Sequence, residues 1–522
     1  GFKQAFEQFR DAGWTGLVQP QEFGGQGLPF SVGIMFAEMV ASGNIAWSLL
    51  NGANNGTVET LHVWGSEEQK KTYLQKIVEG QWGGTMCLTE PHCGTDLGML
   101  RTKAVPNDDG THSISGTKIF ITVGEHDITE NIVHIVLARL PGAPAGVKGI
   151  SLFIVPKFIP NSQGEVGERN GVSCGSIEHK MGLNGSPTCV MNFDGATGYL
   201  LGPENKGLNC MFTFMNNARL AVALQGTSHA EVGFQKSLAY AKDRLQMRAL
   251  TGAKNPDGPA DPIIVHPDVR RMLLSQKSVA EGGRMLNFHI AKLLDVVQRS
   301  EDKDLVQKAE DELGLLTPIA KAFLTETGTE SANLALQCFG GHGYIKEWGV
   351  EQNVRDSRIA SIYEGTTGIQ ALDLLGRKIL LNKGERYRQF TKKIHLFCEL
   401  HKGNDELASF ISQLEKYNKE WGELVMKVGG AAMQNPDELG AASVDFLMYS
   451  GYVVLAYFWA QAAVTAHAAL LTDTSETDFY QAKIKTARFF YERMLPKTRG
   501  HVATMNSGAE NLMGLEAEHF SF

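Results

Sequence analysis

No two cysteines in this chain are spaced as CxxC. The seven present, Cys87, Cys93, Cys174, Cys189, Cys210, Cys338 and Cys398, are scattered. Such spacing supports neither a disulfide framework nor a zinc site, and makes a reducing compartment the default. Cys87 and Cys93 are near neighbours, but no His/Cys pair elsewhere completes a ligand set, so no metal is expected. An excess of positive charge is also missing. The formal net charge is −8 and the pI is near 6.0. Phosphate backbones need a basic face, which argues against nucleic acid as the main partner while leaving room for a local basic patch. No secretory signal opens the sequence. It starts at Gly1 without Met and enters the amphipathic helical pattern "FKQAFEQFRDAGW", so a preceding piece is expected to be missing. There are no internal repeats and no low-complexity segments. The longest uncharged run is "FLMYSGYVVLAYFWAQAAVTAHAALL", Phe446 to Leu471. It is long enough to span a bilayer. Because it carries Ser450, Gln461, Thr465 and His467 inside a helical region, a buried bundle helix is the expectation, with membrane-surface contact as the alternative.

What remains is the composition of a folded soluble protein, 43% hydrophobic and 20% charged over 522 residues. That length calls for three or four domains of about 100–200 residues each. Residues 1–84 read as helices, with "SVGIMFAEMVASGN" and "SEEQKKTYLQKIVEGQW" apolar at helical spacing and Ser66 a good helix start before Glu68 and Gln69. Residues 85–200 change character. Short β-rich runs, "GGTMCLTE", "HSISGTKIFITVG", "IVHIVLARL", "GISLFIVPKF" and "TCVMNFDG", are divided by turn residues, as in an antiparallel barrel or sandwich. The polar segment "IPNSQGEVGERNGVSCGS" reads as an exposed loop. Residues 201–380 return to long helices of bundle type, and residues 381–522 form a further helical block whose charges nearly cancel. The fold class is therefore mainly α with a central β domain.

One short stretch stands apart. "SIYEGTTGIQ" sets Glu364 among small and apolar residues, with no basic residue inside the stretch. An acid at a helix start, stabilised by the helix dipole, is one reading. A base is the other, since desolvation raises a carboxylate's pKa and so its basicity.

Four segments, taken in order, tip the balance: "MCLTEPHCGTDLG", "GTKIFITVGEHD", "QCFGGHGY" and "YEGTTGIQ". Together they resemble the acyl-CoA dehydrogenase family, over about Gly13 to Leu380. The resemblance implies a helical N-terminal domain, an antiparallel β-barrel and a four-helix bundle, here with an extra C-terminal helical domain. It implies FAD-dependent α,β-dehydrogenation of an acyl-CoA thioester to the trans-2-enoyl-CoA. The α proton would go to Glu364 and the β hydrogen to flavin N5 as hydride. The α C–H is a poor acid, so the base must be desolvated and the developing enolate stabilised. The Glu364 backbone N–H would then bond the thioester oxygen.

Carried over residue by residue, the resemblance assigns Leu88 and Thr89 to the flavin ring and Thr95 to FAD and the CoA chain. It sets Phe120 against the isoalloxazine and lets the Thr122 hydroxyl reach N5. Leu88 and Phe120 read equally as barrel core. "DRLQMR" resembles the family's "ERxxFG", so Arg244 and Gln246 would meet the FAD diphosphate of a neighbouring subunit, for which a planar guanidinium suits. Alone, Arg244 reads as a solvated helix charge, and Met247 and Arg248 replace the common Phe-Gly. Gln337 and Gly341 would approach FAD, as would Thr366 and Gly368, the latter replacing a frequent Gln. "NNARLAVA" makes Asn216 and Arg219 substrate-binding candidates, with Thr95, Glu364 and Gly365. Within the family, "GGQGLP", "LTEPHCGTDLG", "FGGHGY" and "YEGTTGIQA" resemble the bacterial methylthiopropanoyl-CoA dehydrogenase group. The substrate is thus 3-methylthiopropanoyl-CoA or a short- to long-chain fatty acyl-CoA. The implied partners are an acyl-CoA and an electron-transferring flavoprotein, in a homodimer or homotetramer, with no nucleic acid. A bacterial cytoplasm is the expected location, with the mitochondrial matrix as the alternative. Two rivals stay open: an acyl-CoA oxidase, and an inactive nucleic-acid-binding relative.

Overall fold

The computed structural model describes residues 1–522. Two compact units divide the chain, residues 1–221 and 222–522.

The first unit opens with helices α1 (Phe2–Asp11), α2 (Phe30–Gly43), α3 (Ile45–Trp64) and α4 (Glu67–Val78). Their starts are written locally. The Asn44 side chain accepts from Trp47 N, and Ser66 and Gln69 cap each other reciprocally at the head of α4. Tyr73, Leu74, Ile77 and Val78 turn the buried face of α4 inward.

Nine strands follow: β1 (Trp82–Cys87), β2 (Lys103–Pro106), β3 (His112–Thr122), β4 (Asn131–Arg139), β5 (Ile150–Pro156), β6 (Phe158–Pro160), β7 (Val166–Arg169), β8 (Val172–Ile177) and β9 (Thr188–Leu200). The pairings β4–β5, β5–β9, β9–β3, β3–β2 and β2–β4 close on themselves as a barrel. Most are antiparallel, but β1 runs parallel to β4, and β2 meets β4 in the parallel sense at Lys103 and Arg139. β4 and β5 are apolar at successive positions because both faces are covered. Val133, Ile135 and Leu137 pack with the α4 side chains, while Val136 and Ala138 point into a second cluster with Ile114, Cys189 and Met191.

The polar segment read as an exposed loop is corrected here. It holds the end of β6, all of β7 and most of β8. β6 and β7 form a hairpin closed by the Asn161–Glu165 turn, and β8 pairs with β9. These strands lie at an edge with mostly exposed side chains, so backbone pairing holds them without the apolar alternation that marks a strand in sequence.

Helix α5 (Gly207–Asp243) carries the chain into the second unit, which contains α6 (Pro267–Arg299), α7 (Lys303–Phe339), α8 (Val350–Ser357) and α9 (Thr367–Leu372). Asp302 caps α7 by accepting from Asp304 N and Leu305 N. Where α5 crosses α7, a Cβ at Gly226 would lie 2.2 Å from the Leu324 carbonyl, and one at Gly328 would lie 2.3 Å from the Gly226 carbonyl. The C-terminal block adds α10 (Glu385–His401), α11 (Ala408–Gln434), α12 (Asp437–Leu470), α13 (Thr477–Phe489), α14 (Thr498–Met505) and the short α15 (Glu510–Met513). The long uncharged run lies in α12, where every residue from Tyr449 to Ala460 is buried. Within it Ser450 Oγ donates to the Phe446 carbonyl, and the Tyr491 hydroxyl donates to the Ala456 carbonyl.

Candidate active site

The flavin-like motif at the end of β1 is held by a lysine. Lys118 of β3 is wholly buried, and its Nζ donates to the Leu88 carbonyl at 3.0 Å and to Glu90 Oε1 at 2.8 Å. Glu90 also accepts from Thr102 N, Thr102 Oγ1 and Arg101 N. Desolvation opposes ionisation of Glu90, but the Lys118 charge and these bonds outweigh it and hold the carboxyl below its ordinary range. Ile119 N donates to the Thr89 carbonyl, completing the tie between "LTE" and "GTKIF".

Just beyond, the β3–β9 ladder slips between Lys118 and Ile121. Phe120 sits in this bulge at φ +59°, with 59% of its surface exposed. A bulge re-aims a side chain out of the ladder, and a left-handed backbone at a bulky residue is costly unless its surroundings impose it. Phe120 is therefore not barrel core. Leu88 is: it is 9% exposed and packs among the core residues. Thr89 and Thr122 are half-buried, and Thr95 is exposed. On α5, Asn216 is exposed and Arg219 half-buried, while Asn217 donates to Glu59. Desolvation pushes the Glu59 carboxyl above its usual range.

In the second unit Glu364 occupies a tight turn between the 3-10 turn Arg358–Ser361 and α9. It is half-buried rather than enclosed. Its φ of +56° and the +96° of Gly365 put two successive residues in the left-handed region, at about 1–3 kcal/mol for the non-glycine one. The φ of +96° favours glycine at residue 365, and a Cβ there would also displace the Gln370 side-chain amide, 2.2 Å away. Gly368 is not so constrained, since an added Cβ would meet only Thr366 Oγ1 at 4.0 Å. The Thr366 hydroxyl caps α9 by accepting from Ile369 N.

The structure brings "DRLQMR" and "QCFGGHGY" together. Tyr240, near the end of α5, stacks on Phe339 at 4.2 Å and reaches His342 Nδ1 at 3.0 Å; Trp348 completes the group by stacking on His342. Arg244 and Gln246 follow Tyr240 and are exposed, as are Gln337 and Gly341. Gly340 needs its φ of +58°, and a Cβ at Gly341 would meet no protein atom within 4 Å. Arg248 has a structural role: it bonds the Asn255 and Gly258 carbonyls and pairs with Asp261. Asp261 accepts first from Ala249 N, then from Asn255 N and Lys254 N, which draws its carboxyl down to about 2. Met247 stays 72% exposed at φ +61°.

Sequence reading missed Lys118, Glu90, Lys321 and Gln225. Each lysine stood in an apolar stretch, "GTKIFIT" and "TPIAKAFL", and a charge inside such a run is itself a sign of a buried anchor.

Helices, a closed barrel, long helices carrying a strained glutamate turn and a further helical block define the acyl-CoA dehydrogenase fold. Family models match along the chain: the acyl-CoA dehydrogenase N-terminal domain over residues 2–81, its middle domain over 85–196, its C-terminal domain over 205–380, and an acetyl-CoA dehydrogenase C-terminal-like domain over 390–516. The chain belongs to the acyl-CoA dehydrogenase family. It is 44% identical to the 3-methylmercaptopropionyl-CoA dehydrogenase of Ruegeria pomeroyi, covering 98% of this chain and 87% of that one. It is 37% identical to the broad-specificity linear acyl-CoA dehydrogenase FadE5 of Mycobacterium tuberculosis, covering 97% and 85%. The crystal structure of a Bacillus anthracis acyl-CoA dehydrogenase complexed with FAD superposes with a TM-score of 0.80 at 22% identity, covering 98% of this chain and 83% of that one.

Proposed function

We propose that this protein dehydrogenates an acyl-CoA thioester between Cα and Cβ to the trans-2-enoyl-CoA, with Glu364 as the base and FAD as cofactor. The observation that carries the reading is the half-buried Glu364 carboxylate, held at positive φ in the turn that matches the family's catalytic segment. The residues present suit FAD. Phe120 offers an exposed aromatic face, Arg244 an exposed guanidinium for a diphosphate, and Gly340–Gly341 a bare backbone surface that a Cβ would cover. When bound, FAD supplies the two-electron acceptor for the β hydrogen.

The chain's own residues do the rest. Glu364 receives the α proton on a carboxylate oxygen. Its backbone N–H is assigned by the resemblance to the thioester oxygen, where enolate charge develops. Lys118, paired with Glu90, fixes the Leu88 carbonyl, Ile119 N holds the Thr89 carbonyl, and the bulge presents Phe120. Asn216 and Arg219 are assigned to the CoA portion. The proposed substrate is 3-methylthiopropanoyl-CoA or a short- to long-chain fatty acyl-CoA, with the 44% identical relative supporting the first and the 37% identical one supporting wider linear substrates. An electron-transferring flavoprotein is the proposed acceptor, in a bacterial cytoplasm.

Anaerobic mixing of the FAD-loaded protein with a panel of acyl-CoAs, including 3-methylthiopropanoyl-CoA, tests the reading through bleaching of the flavin. Wild type should bleach with at least one. Glu364→Gln should keep its FAD and bleach slower by about 10²–10⁴-fold, the usual contribution of a positioned base. Full-rate bleaching by the variant rules Glu364 out as the base.

A further inference from the structure

We propose that Lys321 and Gln225 are positioning residues which clamp the Glu364 turn from its two sides and so hold the base in its left-handed conformation. The proposal rests on the reading of Glu364 as the base.

Lys321 lies in the middle of α7, wholly buried between Ala320 and Ala322. An apolar side chain of similar length would serve the helix and its packing without the desolvation that an ammonium suffers there. The ammonium donates to the Gly365 carbonyl at 2.6 Å. On the other side of the base, the Tyr363 hydroxyl donates to Gln225 Oε1, and Gln225 is itself buried on α5. Desolvation, and then the Glu364 charge, push the Tyr363 phenol above its ordinary range, so it remains a donor. The residues before and after Glu364 are thus tied to two different helices. Thr367 Oγ1 donates to Glu326 Oε1 at 2.5 Å, and Gln370 Nε2 donates to the Glu364 carbonyl at 3.4 Å, adding further ties downstream.

Strained backbone persists only where the surroundings over-determine it, and here two buried polar side chains on different helices supply that constraint. The consequence is chemical. A base whose carboxylate is misplaced by about 1 Å loses on the order of 10²-fold in rate while the substrate still binds. Loosening either tie should therefore separate rate from affinity.

The test uses the FAD-loaded full chain with Lys321→Met and Tyr363→Phe. Both variants should retain FAD and bind the acyl-CoA identified by the wild-type panel with Kd within threefold of wild type. The limiting rate of anaerobic bleaching should fall about 10–100-fold for Lys321→Met and about tenfold for Tyr363→Phe. Without acyl-CoA, backbone amides of residues 362–368 should exchange with deuterium at least tenfold faster. Tyr363→Phe keeps the ring and removes one hydroxyl, so it decides the matter even where the core substitution at Lys321 is poorly tolerated. Wild-type limiting rates and exchange in Tyr363→Phe, or a rate loss matched by the rise in Kd, overturn the clamp. A wild-type protein that no acyl-CoA bleaches overturns the reading of the base instead.

Discussion

Two buried ions beside Leu88 show how single residues place a site. The Lys118 ammonium and Glu90 carboxylate exchange a charge-assisted bond, and each also holds backbone, the Leu88 carbonyl on one side and Arg101 and Thr102 N–H on the other. Removing one partner leaves the other charge buried, so Lys118→Met should cost about 3–5 kcal/mol in denaturant unfolding. The double variant Lys118→Met/Glu90→Leu should cost less than either single one. The Glu90 carboxyl is depressed below its ordinary 4.5 in the folded state. Its contribution to stability is therefore complete above that value and is lost as pH falls through the lower folded value. Thermal melts followed from neutral into acid pH should show a shallower acid loss in Glu90→Gln than in wild type. At this scale the sequence was partly legible. Glu364 announced itself as an acid among small residues, but its left-handed φ did not, because Gly365 alone excused only one of the two strained positions.

Among elements, the crossing of α5 and α7 is set by Gly226 and Gly328, whose missing side chains let backbone lie against backbone. A methyl at residue 328 has nowhere to go except into the Gly226 carbonyl. Gly328→Ala should destabilise the protein by about 1–3 kcal/mol, read as a lower denaturation midpoint with an unchanged slope. Gly341→Ala, whose Cβ meets no protein atom, should leave that midpoint unchanged and act, if at all, on FAD retention. Strand elements were legible where they were buried. β4 and β5 stood out as apolar runs, whereas β7 and β8 were hidden in polar sequence because edge strands need backbone partners more than apolar side chains. The bulge at Phe120 was likewise invisible, being a property of the β3–β9 register.

For the whole molecule, the exposed Arg244 and Gln246 are proposed to serve a second copy of the chain. This makes a specific forecast for mixed dimers. Co-expressed Glu364→Gln and Arg244→Ala chains, separately tagged and purified as hybrids, should regain one intact site per pair, with an intact Glu364 from one chain and an intact Arg244 from the other. Bleaching of about half the flavin at wild-type rate is the expected outcome. If Arg244 serves its own chain, every hybrid site carries one lesion and no recovery appears. The uncharged run of α12 belongs to this scale too. Its length would span a bilayer, and a buried bundle helix was the expectation: every residue from Tyr449 to Ala460 is buried, the Tyr491 hydroxyl donates to its Ala456 carbonyl, and its own Trp459 Nε1 donates to the Ser278 carbonyl.

The order of helices, strands and helices was readable from hydrophobic periodicity, and the family from four short motifs, because both depend on residues near one another along the chain. Glu364, Phe120 and Arg244 could be named on that basis. Only the tertiary structure decided that Phe120 leaves the core while Leu88 stays in it, and that Lys118 and Lys321 are buried anchors. It also decided that the Glu364 turn is tied to α5 and α7 at once. Those facts depend on register, crossing and burial, which join residues tens to more than a hundred positions apart and leave no periodic trace in either segment.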